Sequence, residues 1–198
     1  MIAAAGHGPA GLPMSSRIAM HPLSTPLGEI IAAVSDTGLC ALEYPRPERR
    51  RLLDARLRRW FPEAEVVEGA TAAHEPIRTW LGLYFAGDAP PHDAIELDLR
   101  GTPFERSVWR ELLRVRDGRT ETYGGLARRL GRPTGARAVG LAVGRNPASI
   151  IVPCHRVVGA GGALTGYGGG LDRKRWLLAH EGVAIGAAPQ RLAFEPAS

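Results

Sequence analysis

The hydrophobic and polar positions change period along the chain, and the changes divide it into elements. Arg17 to Leu23 alternates imperfectly. Gly28 to Ser35 is almost continuously apolar, and Leu39 to Tyr44 resumes that run after Asp36-Thr37-Gly38. Period-two runs broken by Asp and Gly predict strands joined by a turn. Pro47 to Trp60 changes to helical spacing, with Leu52, Leu53, Leu57 and Trp60 on one side and arginines on the other. Glu65 to Val67 reads as a short strand. Glu75 to Phe85 reads as a helix with Ile77, Trp80, Leu81 and Tyr84 inward, stopped by Gly87. Ile95 to Leu99 alternates and closes a first, α/β module.

The pattern then becomes mainly helical. Thr102, Pro103 and Glu105 give an N-cap, a proline at the first helical position and a capping box. Val108, Trp109, Leu112 and Leu113 continue that helix towards Gly118. Gly124 to Leu130 and Thr134 to about Arg145 are two short helices joined by Gly131-Arg132-Pro133, a helix-turn-helix pattern. The second is built of Gly and Ala around Arg137. Glycine lowers its helix propensity, and its bare face allows close approach to a neighbouring helix or to a nucleic-acid groove. Asn146-Pro147 ends it. Gly159 to Gly170 is glycine-rich around Tyr167, with Gly161-Gly162 suited to a hairpin turn and the remaining glycines to backbone packed against a planar ligand, a plain flexible loop being the alternative. A last helix runs from Asp172, as its cap, to Glu181, with Trp176 and Leu177 inward and Gly182 as its stop.

The fold expected is an α/β N-terminal domain over 17–98 and a mainly α domain over 99–186 with a winged helix-turn-helix-like motif. Segments 1–16 and 187–198 are expected to be tails. Charge sharpens the division. Residues 1–98 hold 9 Lys+Arg against 13 Asp+Glu, and residues 99–186 hold 15 against 6. Only the second half looks made for a polyanion. Of the 25 cations all but Lys174 are arginine.

No apolar run approaches the roughly 18 to 20 residues of a membrane span, and residues 1–16 lack the order of a signal peptide. An intracellular, cytoplasmic protein with no membrane partner is expected. Cys40 and Cys154 are too few for a disulfide framework or a sulfur-rich zinc site. A mixed site joining Cys40 to His21, His74 or His92 has no motif-like spacing. No metal and no cofactor is therefore expected.

The chemistry concentrates in Val152-Pro153-Cys154-His155-Arg156-Val157-Val158. A nucleophilic cysteine acts as thiolate and needs a base or a positive field. In an extended segment Cys154 and His155 would point to opposite faces, so either the backbone turns or a water links them. Glu181 is the best acid to orient His155. An inert buried cysteine is the plain alternative.

Residues 101 to 182 resemble the O6-alkylguanine-DNA alkyltransferases, the methylated-DNA–protein-cysteine methyltransferases. The matching pieces are Gly101-Thr102-x-Phe104 with Val108-Trp109, Thr122-Tyr123-Gly124, Ala136-Arg137-Ala138-Val139-Gly140, Asn146-Pro147, Val152-Pro153-Cys154-His155-Arg156-Val157, Gly166-Tyr167 and Trp176-Leu177-Leu178-x-His180-Glu181-Gly182. They keep the family's order and spacing. The N-terminal half is similar only in length and strand pattern.

The resemblance implies single-turnover DNA repair. Cys154 would accept the alkyl group, with His155 as its base through water and Glu181 holding His155. Asn146 would brace the turn between the recognition helix and the active-site segment. Arg137 would hold the place of the extruded guanine. Tyr123 would push on the flipped nucleotide's phosphate and help protonate the leaving base. The Val157 carbonyl and the Gly168 amide would read that base, with Tyr167 and Pro147 lining the pocket. Thr134, Ala136, Ala138 and Gly140 would meet the minor groove. The partner implied is double-stranded DNA carrying O6-alkylguanine, with O4-alkylthymine a further candidate substrate. The protein is expected to be monomeric, with cooperative binding along DNA an open option.

Glu105 departs from the family's usual Gln, and its place in the capping box points to a structural effect or a small loss of DNA affinity. No cysteine-rich zinc module precedes the domain, which argues against a transcription-factor role. Three rival readings are a non-catalytic lesion-sensing relative, which would lack the cysteine; a helix-turn-helix regulator, which would need polar side chains for base readout; and a cysteine hydrolase, whose Cys and His come from distant segments.

Overall fold

The computed structural model describes residues 17–88 and 90–184. The expected tails over 1–16 and 187–198 lie outside them. Strands β1 (Arg17–Thr25), β2 (Gly28–Ser35) and β3 (Gly38–Glu43) form an antiparallel meander. Helix α1 (Pro47–Trp60) then crosses to β4 (Glu65–Glu68), which pairs parallel to β1, giving the order β3-β2-β1-β4. Both faces of this sheet are covered, which explains the continuous apolar run in β2. Ile18, Met20, Ile31, Ala33 and Cys40 pack with Leu53 and Leu57 of α1. Ala19, Leu23, Ile30, Ala32 and Val34 face the main core with α2 (Glu75–Ala86), which buries Ile77, Trp80, Leu81 and Tyr84. Leu52, expected on the inner side of α1, is 40% exposed: its neighbour Leu53 takes the buried position.

The second half is built from α3 (Pro103–Leu112), β5 (Glu121–Thr122), α4 (Tyr123–Arg129), α5 (Ala136–Gly144), β6 (Val157–Val158) and α6 (Leu171–His180). The capping box at α3 forms: Thr102 Oγ1 accepts from the Glu105 amide and Glu105 Oε2 accepts from the Thr102 amide. The main apolar core is shared, drawing Trp80 and Tyr84 together with Trp109, Val139, Ile151 and Leu177.

Local corrections follow from hydrogen bonding. Ile95–Leu99 is no strand; it forms a single bridge, Leu39 to Leu97. Helix α5 starts at Ala136, because Thr134 and Gly135 close a turn on the Arg132 carbonyl. Asp172 lies inside the first turn of α6, whose N-cap is Gly170. Gly161 and Gly162 both take positive φ, but they lie in a short 3₁₀ turn over Ala160–Gly162 and join no pair of strands. No helix among the described residues is long and apolar enough to cross a membrane.

Candidate active site

Cys154 opens a 3₁₀ turn, Cys154–Arg156, between the loop after α5 and β6. The backbone therefore does turn here. Cys154 is 7% exposed, and His155 and Arg156 are buried with it. The preceding loop is fastened by Asn146. Its Nδ2 donates to the Val152 carbonyl at 2.8 Å and to Cys154 Sγ at 3.0 Å, and its Oδ1 accepts from the Ala148 amide at 3.1 Å. Within this loop Ile150 has φ 72°, a left-handed conformation that is costly for a β-branched residue. The loop is also stitched to the sheet: the Leu42 amide donates to the Pro147 carbonyl, and the Ser149 amide to the Leu42 carbonyl. Strand β3 thus fixes the height of the active-site segment.

Behind the cysteine lies a buried charge network. His155 Nε2 meets Glu181 Oε1 at 2.7 Å. An ionised carboxylate only accepts, so Nε2 carries the proton and Nδ1 has a free lone pair. Nδ1 is buried and bonded to no protein group. Arg156 donates to both Glu181 oxygens, at 2.8 and 2.9 Å, to the Val115 carbonyl at 2.7 Å and to Asp117. Burial pushes the His155 imidazole down, and Glu181 opposes it without prevailing. Burial would push the Glu181 carboxyl up, but the charges and hydrogen bonds of His155 and Arg156 hold it well below the usual range. The pair rests as neutral imidazole and carboxylate.

Burial raises the Cys154 thiol to about 11, with the Asn146 hydrogen bond and the Lys174 charge pulling the other way. The thiol therefore rests protonated near neutral pH, and it can act as a nucleophile only if its proton is removed. Lys174, fully buried, donates to the Val157 and Thr165 carbonyls, and burial lowers it to about 8.

Cys154 opens into a cavity of about 210 Å³ lined by Tyr123, Gly140, Asn146, Tyr167, Gly168 and Arg49, among others. A side chain at Gly168 would meet the Arg49 guanidinium at 2.8 Å, and one at Gly169 would meet the Tyr44 ring at 2.5 Å. Arg49 is itself held by the buried Glu43 carboxylate.

Of the residues singled out from the sequence, Cys154, Tyr123, Gly140, Asn146, Tyr167 and Gly168 line this cavity. His155 and Glu181 sit behind it. Val157 is buried and its carbonyl already accepts from Lys174, leaving one lone pair. Pro147 is buried in the β3 junction. Thr134 lies in the turn before α5 and Ala136, Arg137 and Ala138 in its first turn, away from the cavity lining, with Arg137 and Ala138 exposed. Sequence reasoning missed Arg49, Tyr84, Arg156 and Lys174. A lysine used once among 25 cations was a usable signal for Lys174: an ammonium can donate to clustered carbonyls that a planar guanidinium cannot fit. Among the described residues no cluster of His, Cys, Asp and Glu is placed to hold a metal.

Residues 103–183 match the family model described as 6-O-methylguanine DNA methyltransferase, DNA binding domain. A relative from Salmonella typhimurium, named methylated-DNA–protein-cysteine methyltransferase, is 42% identical over 173 residues, 85% of this chain and 98% of that one. One of the same name from Mycolicibacterium paratuberculosis is 61% identical over 101 residues, 51% of this chain and 61% of that protein's length. Among solved structures, Mycobacterium tuberculosis OGT in complex with DNA superposes with TM-score 0.69 at 41% identity, over 82% of this chain and 92% of that one. The O6-methylguanine-DNA methyltransferase of Pyrococcus kodakaraensis gives 0.65 at 26% identity, over 84% and 99%.

Proposed function

This chain belongs to the methylated-DNA–protein-cysteine methyltransferase family, and from that premise we propose that it repairs DNA by direct reversal, moving an alkyl group from O6 of guanine to Cys154. The observation that carries this reading is the thiol itself: Sγ faces a cavity, takes a 3.0 Å hydrogen bond from Asn146, and has a neutral His155 oriented by Glu181 beside it.

The O6-alkyl carbon is unreachable inside a duplex, so the nucleotide is flipped out at a cost of a few kcal/mol. Helices α4 and α5 act as a helix-turn-helix whose second helix enters the minor groove. Ala136, Ala138 and Gly140, with Thr134, offer a face small enough for close approach. Arg137, exposed on the first turn, fills the gap left in the stack. Tyr123, whose ring lies against Gly140 at the cavity wall, pushes on the flipped nucleotide's phosphate.

Within the cavity the Val157 carbonyl and Gly168 amide read the base edge, beside Tyr167 and the Pro147 turn. The thiol proton passes through a bridging water to His155 Nδ1, and Glu181 stabilises the imidazolium. Sγ attacks the alkyl carbon in line. The carbon–O6 bond breaks, its electron pair goes to guanine, and the Tyr123 hydroxyl supplies the proton that completes the base. The thioether has no route back to thiol, so each molecule acts once, as a monomer. O4-alkylthymine is a second substrate to test. Residues 17–98 serve as the structural unit and 99–186 as the DNA-binding and catalytic unit.

Titrating the protein with an O6-methylguanine duplex tests the reading. One methyl transferred per protein, with Cys154→Ala inactive but still binding DNA, is the expected result. Repeated turnover, or transfer by Cys154→Ala, contradicts it.

A further inference from the structure

A second groove, about 790 Å³ in volume, runs between α1 and α3. Arg56 and Arg59 line it from α1, Arg100 and Arg106 from around the start of α3, and Arg145 from the end of α5. Glu105 is the one acid in its lining, and it is committed to Arg145 at 3.0 Å and to the Thr102 amide. Arg100 pairs with Asp98 at 2.6 Å. Arg56, Arg59 and Arg106 make no ion pair among the described residues. The Arg56 guanidinium lies over the Trp60 ring at 5.8 Å, and burial, with the positive charges of Arg49 and Arg145, pushes its pKa down against the opposing charges of Glu43 and Glu105. Such crowding of like charge is relieved by an anion.

We propose that this groove binds phosphodiester groups, so that the N-terminal half grips the same DNA that α5 engages. The inference rests on the DNA-repair reading. Two features favour a nucleic-acid backbone over a small anion. First, the guanidinium groups are spread over two helices and the end of a third. Second, the cationic surface is continuous with the helix-turn-helix. Arg145 directly follows α5, and Arg132, in the turn between α4 and α5, stacks on Phe104 of α3 at 5.1 Å. Arg137 and Arg145 are about 12 Å apart along the helix at 1.5 Å per residue, a span of about three to four base steps on a strand. Contacts of this kind fix the protein's seat on the duplex and carry no sequence preference.

The test is the salt dependence of binding to an undamaged duplex of about twenty base pairs, for the full chain and for Arg56→Gln/Arg59→Gln. Each phosphate contact contributes about 0.9 to the slope of log K against log salt. The double variant is expected to lower the slope by about 1.8 and to weaken binding about tenfold in about 0.1 M salt. Its reaction with free O6-benzylguanine, a nucleobase without phosphate, is expected to stay at the wild-type rate. Arg56→Lys/Arg59→Lys keeps the charge and restores the slope. Arg106→Gln, on the exposed wall, is expected to lose about 0.9, and it decides the matter should the double variant lose its free-base reaction. A wild-type slope and affinity in the Gln variants overturn the proposal. A wild-type protein without salt-dependent DNA binding overturns the DNA reading beneath it.

Discussion

The Tyr84 hydroxyl on α2 donates a 2.7 Å hydrogen bond to Glu181 Oε1, the oxygen that also takes His155 Nε2. A helix of the N-terminal half thereby holds the carboxylate that orients the histidine beside Cys154. Removing the hydroxyl in Tyr84→Phe leaves a buried carboxylate with one donor fewer. We expect a stability loss of about 1–3 kcal/mol in urea unfolding. Glu181 then acts more strongly on His155, so the acid limb of the pH–rate profile for free O6-benzylguanine moves upward. A variant that only loses stability, with the limb unmoved, would show that Tyr84 does not position the site.

Asn146 bonds the thiol, the Val152 carbonyl and the Ala148 amide around a loop that holds Ile150 at positive φ. Asn146→Ala removes all three bonds from a buried position. A stability loss of about 2–4 kcal/mol follows if each orphaned group costs about one. The thiol also loses the largest influence lowering its pKa, so alkyl transfer from free O6-benzylguanine slows throughout the range below about pH 11.

Acid should destabilise the protein in two overlapping stages. His155 and His92 are both pushed down by burial, His92 to about 4. Below pH 6.5 the unfolded chain protonates these histidines before the folded one does. Their contribution, full above that pH, is lost as pH falls towards the folded pKa. Glu181 is held below its ordinary 4.5, so its contribution is full above 4.5 and lost further down. Melting temperature against pH should decline from about 6.5 and steepen below 4.5. His92→Gln should flatten the upper stage. A melting temperature constant from pH 7 to 4 would contradict this assignment.

The face of α5 offers Arg137, Ala138 and Leu141, the last 60% exposed. Ala138→Glu sets a carboxylate against phosphates and should weaken DNA binding at least tenfold, without changing the free-base rate. Arg137→Ala should slow repair of duplex lesions by about 10- to 100-fold, the effect of losing a stake of about 1–3 kcal/mol. Loss of free-base reaction in either variant would show that this exposed face of α5 serves the pocket rather than the DNA.

Features set by neighbours in sequence are legible in the sequence alone. The capping box of Thr102 and Glu105 and the buried stripe Ile77, Trp80, Leu81 and Tyr84 depend on local spacing, and both form. The motif around Cys154 marked the cavity because its residues are contiguous. What stayed hidden joins distant segments. Arg49 reaches the cavity from α1, Tyr84 reaches Glu181 from α2, and Leu42 of β3 pairs with the loop after α5. None of these has a period to read. Arg156, next to His155 in sequence, is buried between Glu181 and Asp117, where it donates to both carboxylates and to the Val115 carbonyl.

The measurement that bears most directly on the central claim is the intact mass of the protein after mixing with an O6-methylguanine duplex, followed by peptide mapping. The account predicts a stoichiometric gain of about one methylene on Cys154 and none on Cys40, which is buried in β3 away from the cavity. An unchanged mass with tight DNA binding retained, or a gain on any other residue, would contradict it.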